Sequence, residues 1–204
     1  MSDFRPQLYL ITPPEFDPET FAPELARALD AGPVACVRLA LASQSEDRLL
    51  RAADALREVA HARDVPLVID RHVELALRAG LDGVHLPDGA GGVRKARAAL
   101  GADAILGAFC GASRHAGLSA GEAGADYVAL GPVGGALGTS ERAEPELFEW
   151  WSEIVEVPVV AEGGLTPELV AALAPMADFF ALGEEVWAAP DPLAALAELR
   201  AAMG

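Results

Sequence analysis

The sequence predicts an α/β fold, a TIM (β/α)8 barrel in which residues 1–204 form one domain. Three observations lead there. Eight short apolar runs alternate with longer stretches of helical period. The runs are apolar on both faces, as in a parallel sheet covered by helices. They fill the chain without a linker or a Pro-rich gap, which suits a small barrel. A doubly wound sheet is the alternative, but the chain carries neither GxGxxG nor a P-loop pattern.

The elements follow in order. Strands are read at 7–12 (QLYLIT), 34–39 (VACVRL), 66–70 (PLVID), 82–86 (DGVHL), 104–108 (AILGA), 126–131 (DYVALG), 157–163 (VPVVAEG) and 178–183 (DFFALG). The first helix, PETFAPELARALDAG, places Phe21, Leu25 and Leu29 at steps of four and stops at Gly32. The second opens on a Ser45 cap and sets Leu49, Ala53, Leu56 and Ala60 on one face. Further helical stretches span 73–80, 92–101, 113–124, 144–154, 167–175 and 191–203.

Composition narrows the function. A formal charge of −16 argues against nucleic acid or an anionic membrane surface as partner. No apolar run approaches the ~18–20 residues that span a bilayer, and the N-terminus lacks a basic-then-apolar leader. The expected location is cytoplasmic. Cys36 and Cys110 lack metal-ligand spacing and read as small buried hydrophobes. Lys95 is the one lysine, so an anionic substrate must rely on arginines and backbone N–H groups. Phe148, Trp150 and Trp151 form an aromatic cluster, suited to packing against the barrel or to a homo-oligomer interface.

A barrel places its chemistry at the C-terminal strand ends. Those ends carry Thr12, Arg38, Asp70–Arg71–His72, His85 with Asp88, Cys110 with Ser113–Arg114–His115, the loop 131–142, Glu162–Gly163–Gly164, and Gly183–Glu184–Glu185. Gly163 and Gly164 run into a helix with Thr166 as cap and Pro167 at its first position. They read as a tight βα turn that needs glycine or, favoured because loops after strands seven and eight commonly serve phosphate, as an anion site. Arg38 lies in an apolar strand and needs a partner there. It either pairs with Asp70 or Glu162 or faces a ligand. His85 reads as a ligand group or a hydrogen-bonded core histidine, and Asp88 as a ligand or a turn residue. Arg114 and His115 suit an anion-binding or acid–base pair, or the solvent-facing first turn of a helix.

Four segments resemble the thiamine-phosphate synthases and their TenI-type thiazole tautomerase relatives. They are LYLIT, VPLVIDRHVELALRAGLDGVHLPDG, GEAGADYVALGPV and VPVVAEGGLTPELV, in an order and spacing that run through nearly the whole chain. The resemblance implies a TIM barrel in thiamine biosynthesis. Its activity would join a hydroxymethylpyrimidine diphosphate to a thiazole phosphate, with release of pyrophosphate and the help of Mg²⁺. The substrates would be small phosphorylated heterocycles.

Transferred residue by residue, the resemblance gives Arg38 the pyrophosphate-binding arginine, while the family's lysine two positions on is Ala40. The family's Asn-Asp pair is Asp70–Arg71, which puts a cation where an acid is usual. In the fourth loop the acid is lost at Ala90 or supplied by Asp88. The loop after strand six, usually rich in Thr and Lys, contains no lysine. After strand eight stand Glu184 and Glu185, whose charges would oppose a phosphate by several kcal/mol if poorly solvated. On this reading Arg38 and Arg71 act in catalysis, and Arg38, Arg114, Gly163, Gly164 and His85 hold substrate phosphate. Asp70 and Asp88 hold Mg²⁺, and His115 is the acid–base group. A metal-free tautomerase using His115 or His85 is the alternative enzyme, and a non-catalytic binding barrel is the third reading.

Overall fold

The apolar alternation along each strand divides its side chains between two destinations, and the computed structural model shows both. It describes residues 5–135 and 141–204. The strands are β1 (Gln7–Ile11), β2 (Cys36–Leu39), β3 (Leu67–Asp70), β4 (Gly83–Leu86), β5 (Ile105–Phe109), β6 (Tyr127–Leu130), β7 (Val159–Glu162) and β8 (Phe179–Leu182). They pair in parallel in chain order and close, β8 against β1, into a barrel. The expected (β/α)8 architecture is therefore the observed one.

Along each strand, alternate residues face the helices or the barrel axis. Outward residues such as Leu10, Val37, Ile69, Leu106, Val128 and Phe180 join the large layer beneath the helices. Inward residues Tyr9, Val68, Tyr127, Ala129, Val160 and Ala181 form a separate inner cluster. Gly107 has a packing role there, since a Cβ on it would lie 2.0 Å from the Tyr127 ring. Its bare Cα lets that ring cross the barrel.

The helices are α1 (Pro18–Asp30), α2 (Glu46–His61), α3 (Val73–Ala79), α4 (Val93–Leu100), α5 (Arg114–Glu122), α6 (Pro145–Ile154), α7 (Pro167–Leu173), α8 (Glu184–Trp187) and α9 (Pro192–Ala201). Ser45 and Thr166 cap α2 and α7, accepting from the N–H groups of Arg48 and Leu169. Phe148 and Trp151 are buried under α6, whereas Trp150 is part-buried. Two elements escaped the sequence reading: a 3-10 turn over Gly89–Gly92 and the four-residue helix α8. Both are too short to show a period. Of the loop 131–142, residues 136–140 lie outside the described residues.

At the N-terminal end of the barrel one device recurs. Asp82, just before β4, accepts a 2.7 Å hydrogen bond from Leu67 N–H of β3, and its own N–H donates to the Leu67 carbonyl. Asp126 repeats this on Leu106 and Asp178 on Val159, each side-chain bond again 2.7 Å long. Each aspartate thus fixes the register of its strand against the preceding one, at the end opposite the chemistry. Hydrogen bonds to a charged group contribute about 1.5–3 kcal/mol. Asp178→Ala should therefore lower unfolding free energy by about 1–3 kcal/mol in a denaturant titration. A change within error would show that the β7–β8 register does not need this bond.

Candidate active site

Arg38 is the residue around which the barrel mouth is built. Its place in β2 points it inward, between Val37 and Leu39, which face the helices. Only 6% of its surface is exposed. Its two terminal nitrogens donate to the two carboxylate oxygens of Glu162 in β7, at 2.9 and 2.8 Å. Asp70 of β3 stands on the other side, with Oδ1 3.3 Å from Arg38 Nε, but those two buried atoms make no hydrogen bond. Burial opposes charge on Arg38, yet Glu162 and then Asp70 outweigh it and hold the guanidinium firmly protonated. For Asp70 burial prevails over the attraction of Arg38, so its carboxyl titrates above the usual range.

Deeper in the barrel lies a polar chain. Tyr9 and Tyr127 share a hydrogen bond of 2.7 Å through their hydroxyls, and Tyr127 shares another of 3.0 Å with His85 Nδ1. His85 is buried, and desolvation together with Arg38 pushes its pKa well below the ordinary imidazole value. It is a neutral hydrogen-bonding group. Burial likewise pushes the Cys36 and Cys110 thiols up to about 12, so both are protonated, as small hydrophobes would be.

Among the described residues, two of the hollows at the C-terminal end border the charged residues above. One, of about 510 Å³, is lined by Ile11, Thr12, Arg38, Ala40, Glu162, Gly163, Gly164 and Glu185, among others. The other, of about 630 Å³, lies over β2 and β3 and is lined by Ala40, Asp70, Arg71 and His72 with their neighbours. Arg71 is exposed and sits at φ +55°, an uncommon conformation for a non-glycine residue. Its N–H donates to the His85 carbonyl, which holds that turn in place.

The remaining expected residues are distributed as follows. Gly163 and Gly164, at φ +89° and +69°, line the first hollow. His85, Asp88, Arg114 and His115 line neither hollow. Asp88 is exposed at the start of the 3-10 turn, without a side-chain capping bond. Arg114 and His115 are exposed in the first turn of α5, and the Arg114 guanidinium lies 4.6 Å from the Trp150 ring centroid. Among the described residues, no three His, Cys, Asp or Glu side chains gather as a metal site. Sequence reasoning passed over Arg142, whose Nη2 would lie 3.5 Å from a Cβ on Gly135, at the rim of the first hollow. Its place in the loop 131–142, next to a strand end, is the signal the sequence carries for it.

A family model described as thiamine monophosphate synthase matches residues 8–186. The chain belongs to the thiamine monophosphate synthase family. Among its relatives, the thiamine-phosphate synthase of Rhodospirillum centenum is 48% identical, with 100% of this chain and 99% of the relative covered. That of Erythrobacter litoralis is 40% identical, with 89% and 88% covered. In three dimensions the chain is similar to a thiamine phosphate pyrophosphorylase from Pyrococcus furiosus, with TM-score 0.84 and 26% identity, over 97% of this chain and 95% of that one. The family model covers the chain from within β1 to within α8. No helix among the described residues is long and apolar enough to cross a membrane.

Two predictions follow from the buried groups. Arg38→Met leaves Glu162 buried without its partner and should cost about 3–5 kcal/mol, since removing one member of a buried pair strands the other charge. Arg38→Met/Glu162→Leu should recover much of that loss in thermal melts. A double variant no more stable than Arg38→Met would refute the pairing energetics.

The second prediction concerns pH. His85 disfavours protonation when folded, so its contribution is present above the unfolded imidazole value near 6.5 and is lost as pH falls below it. Asp70 acts in the opposite sense: its raised value means protonation favours the folded state as pH falls toward 3.8. Denaturant midpoints should drop between about pH 7 and about pH 5, and drop less in His85→Gln. Parallel slopes in the two proteins would remove His85 as the cause.

Proposed function

We propose that this chain joins a hydroxymethylpyrimidine diphosphate to a thiazole phosphate, forming thiamine phosphate and releasing pyrophosphate. The observation that carries the reading is the match to thiamine-phosphate synthases across the entire chain, at 48% identity to one of them. The bond that breaks is the C–O bond between the pyrimidine methylene and the diphosphate, whose electron pair leaves with pyrophosphate. The bond that forms joins the same carbon to the thiazole nitrogen. No proton has to move in this step, so the site must mainly place two substrates and stabilise charge on the leaving group.

The residues of the mouth suit those tasks unequally. Arg71 is exposed and lines the hollow over β2 and β3, so it supplies a cation to the diphosphate. Arg38 is already engaged by Glu162 and Asp70. Its role is to position those carboxylates and keep the floor of the site polar. Arg142 stands at the rim of the neighbouring hollow, where the family uses cationic loop residues.

Mg²⁺ fits one feature of this site. Asp70 Oδ1 is buried without a hydrogen bond, while 30% of the side chain is exposed and lines the hollow. Mg²⁺ usually takes only one or two protein carboxylates, with substrate phosphates and water completing its shell. Asp70 would hold it, with substrate phosphates and water as its other partners, since Asp88 is exposed and lines neither hollow. When bound, the ion would neutralise charge on the departing pyrophosphate. Arg114 and His115 line neither hollow and are given no role in this step, and a small phosphorylated heterocycle is the substrate class throughout.

Incubating the purified protein with both substrates and Mg²⁺ should release pyrophosphate, measured by a coupled assay. Arg71→Ala should lower kcat/KM by about a hundredfold, the scale seen when one preorganised stabilising group is removed. No release, under conditions where a related synthase turns over, would sink the synthase reading and leave the tautomerase or binding readings.

A further inference from the structure

Glu185, an acid at the mouth, pairs with no arginine among the described residues and is not freely exposed. It lies in the first turn of α8, half-buried, and lines the hollow beside Gly164 and Gly183. Its Oε1 accepts hydrogen bonds from Gly164 N–H at 2.8 Å and Leu165 N–H at 3.1 Å. Its Oε2 accepts from Gly183 N–H at 2.9 Å. Three backbone donors from the loops after β7 and β8 thus converge on one carboxylate.

The frame around those donors is stiff. Gly163 and Gly164 both have positive φ, which sets successive N–H groups toward the same side. Gly134 N–H donates to the Gly163 carbonyl at 2.8 Å, and a Cβ on Gly134 would lie 1.8 Å from the Gly164 carbonyl oxygen. The loop after β6 therefore presses on the loop after β7 and leaves it little freedom to re-aim its donors. Such a set of N–H groups, free of side chains, suits an anion with several oxygens. Here the anion is supplied by the chain itself.

We propose that Glu185 is a specificity-determining residue: its carboxylate occupies the backbone cradle that an acceptor's phosphate would use, so a phosphorylated acceptor must displace it to bind. The identity of the acceptor rests on the synthase reading above, but the occupied cradle does not. Phosphate and carboxylate cannot share it, because both need the same three donors and like charges in contact repel. Arg38 cannot relieve that repulsion, since Glu162 and Asp70 already balance it. Displacement is feasible because Glu185 has a long, rotatable side chain next to the exposed turn at Glu184. The consequence is a blunted preference for phosphorylated over unphosphorylated acceptors.

The test compares kcat/KM for the thiazole phosphate and for the corresponding unphosphorylated alcohol. In Glu185→Ser the ratio should rise about tenfold or more, a change of the size that one lost competing contact gives. Glu184→Gln removes the same charge from the same turn and should shift the ratio far less. A purely structural role for Glu185 predicts a lower melting temperature and an unchanged ratio, and that result would overturn the proposal. So would a ratio that falls. Glu185→Gln keeps the length and an acceptor oxygen, and serves if the serine variant fails to fold.

A second measurement needs no turnover. Inorganic phosphate titrated into ¹⁵N-labelled protein should shift the Gly164, Leu165 and Gly183 amides at lower concentration in Glu185→Gln than in the parent. Equal titrations would refute displacement. If phosphate behaves as expected while neither acceptor turns over, the synthase reading fails and the occupied cradle stands.

Discussion

The bidentate contact between Arg38 and Glu162 is the constraint on which the mouth of this barrel depends. It links β2 to β7 across the interior, between residues 124 apart in sequence, and both partners are almost fully buried. Two charges at such depth are tolerable only as a pair with well-formed hydrogen bonds. The pair therefore dictates what else can stand nearby. Asp70 can approach as a second, weaker partner, whereas His85 must remain neutral beside the guanidinium. Tyr127 reaches His85 across the space left by Gly107. A polar layer thus sits above an apolar one inside the same barrel, stabilised by contacts among its own members.

This arrangement changes what the substrates meet. An arginine that looks available from sequence is internally engaged, whereas Arg71, on the loop after β3, is exposed and lines a hollow. Backbone N–H groups of the loops after β7 and β8 converge, and the carboxylate of Glu185 on α8 accepts from them. The scaffold of a phosphate-using family is present with its charges redistributed. Electrostatic tuning of such a site depends on which groups remain uncompensated, more than on how many cations the chain contains.

Stability and chemistry are separated along the barrel axis. At the N-terminal end Asp82, Asp126 and Asp178 hold strand register through repeated contacts with the preceding strand. At the opposite end stand the polar residues of the candidate site. The split lets loops at the mouth vary while register is set elsewhere, which is how one barrel supports many activities.

Much of the architecture could be read in the chain. Strand tips, helix faces at Phe21, Leu25, Leu49 and Leu56, and the caps at Ser45 and Thr166 follow from local periodicity and backbone chemistry, which act over a few residues. The motifs LYLIT, DGVHL, GADYVALGP and AEGGLTPE were equally sufficient for the family, because they lie at the ends of strands whose order is the chain order. Helix α8 was illegible, since four residues carry no period. Arg38 left its partner open because Asp70 and Glu162 are equally plausible by charge. What sequence alone determined was the barrel and its family. Only the closed tertiary structure decided that Glu162 takes both ends of Arg38, that His85 turns to Tyr127, and that Glu185 enters the cradle. Those outcomes depend on distances between strands and loops far apart in sequence, which exist only once β8 has closed on β1.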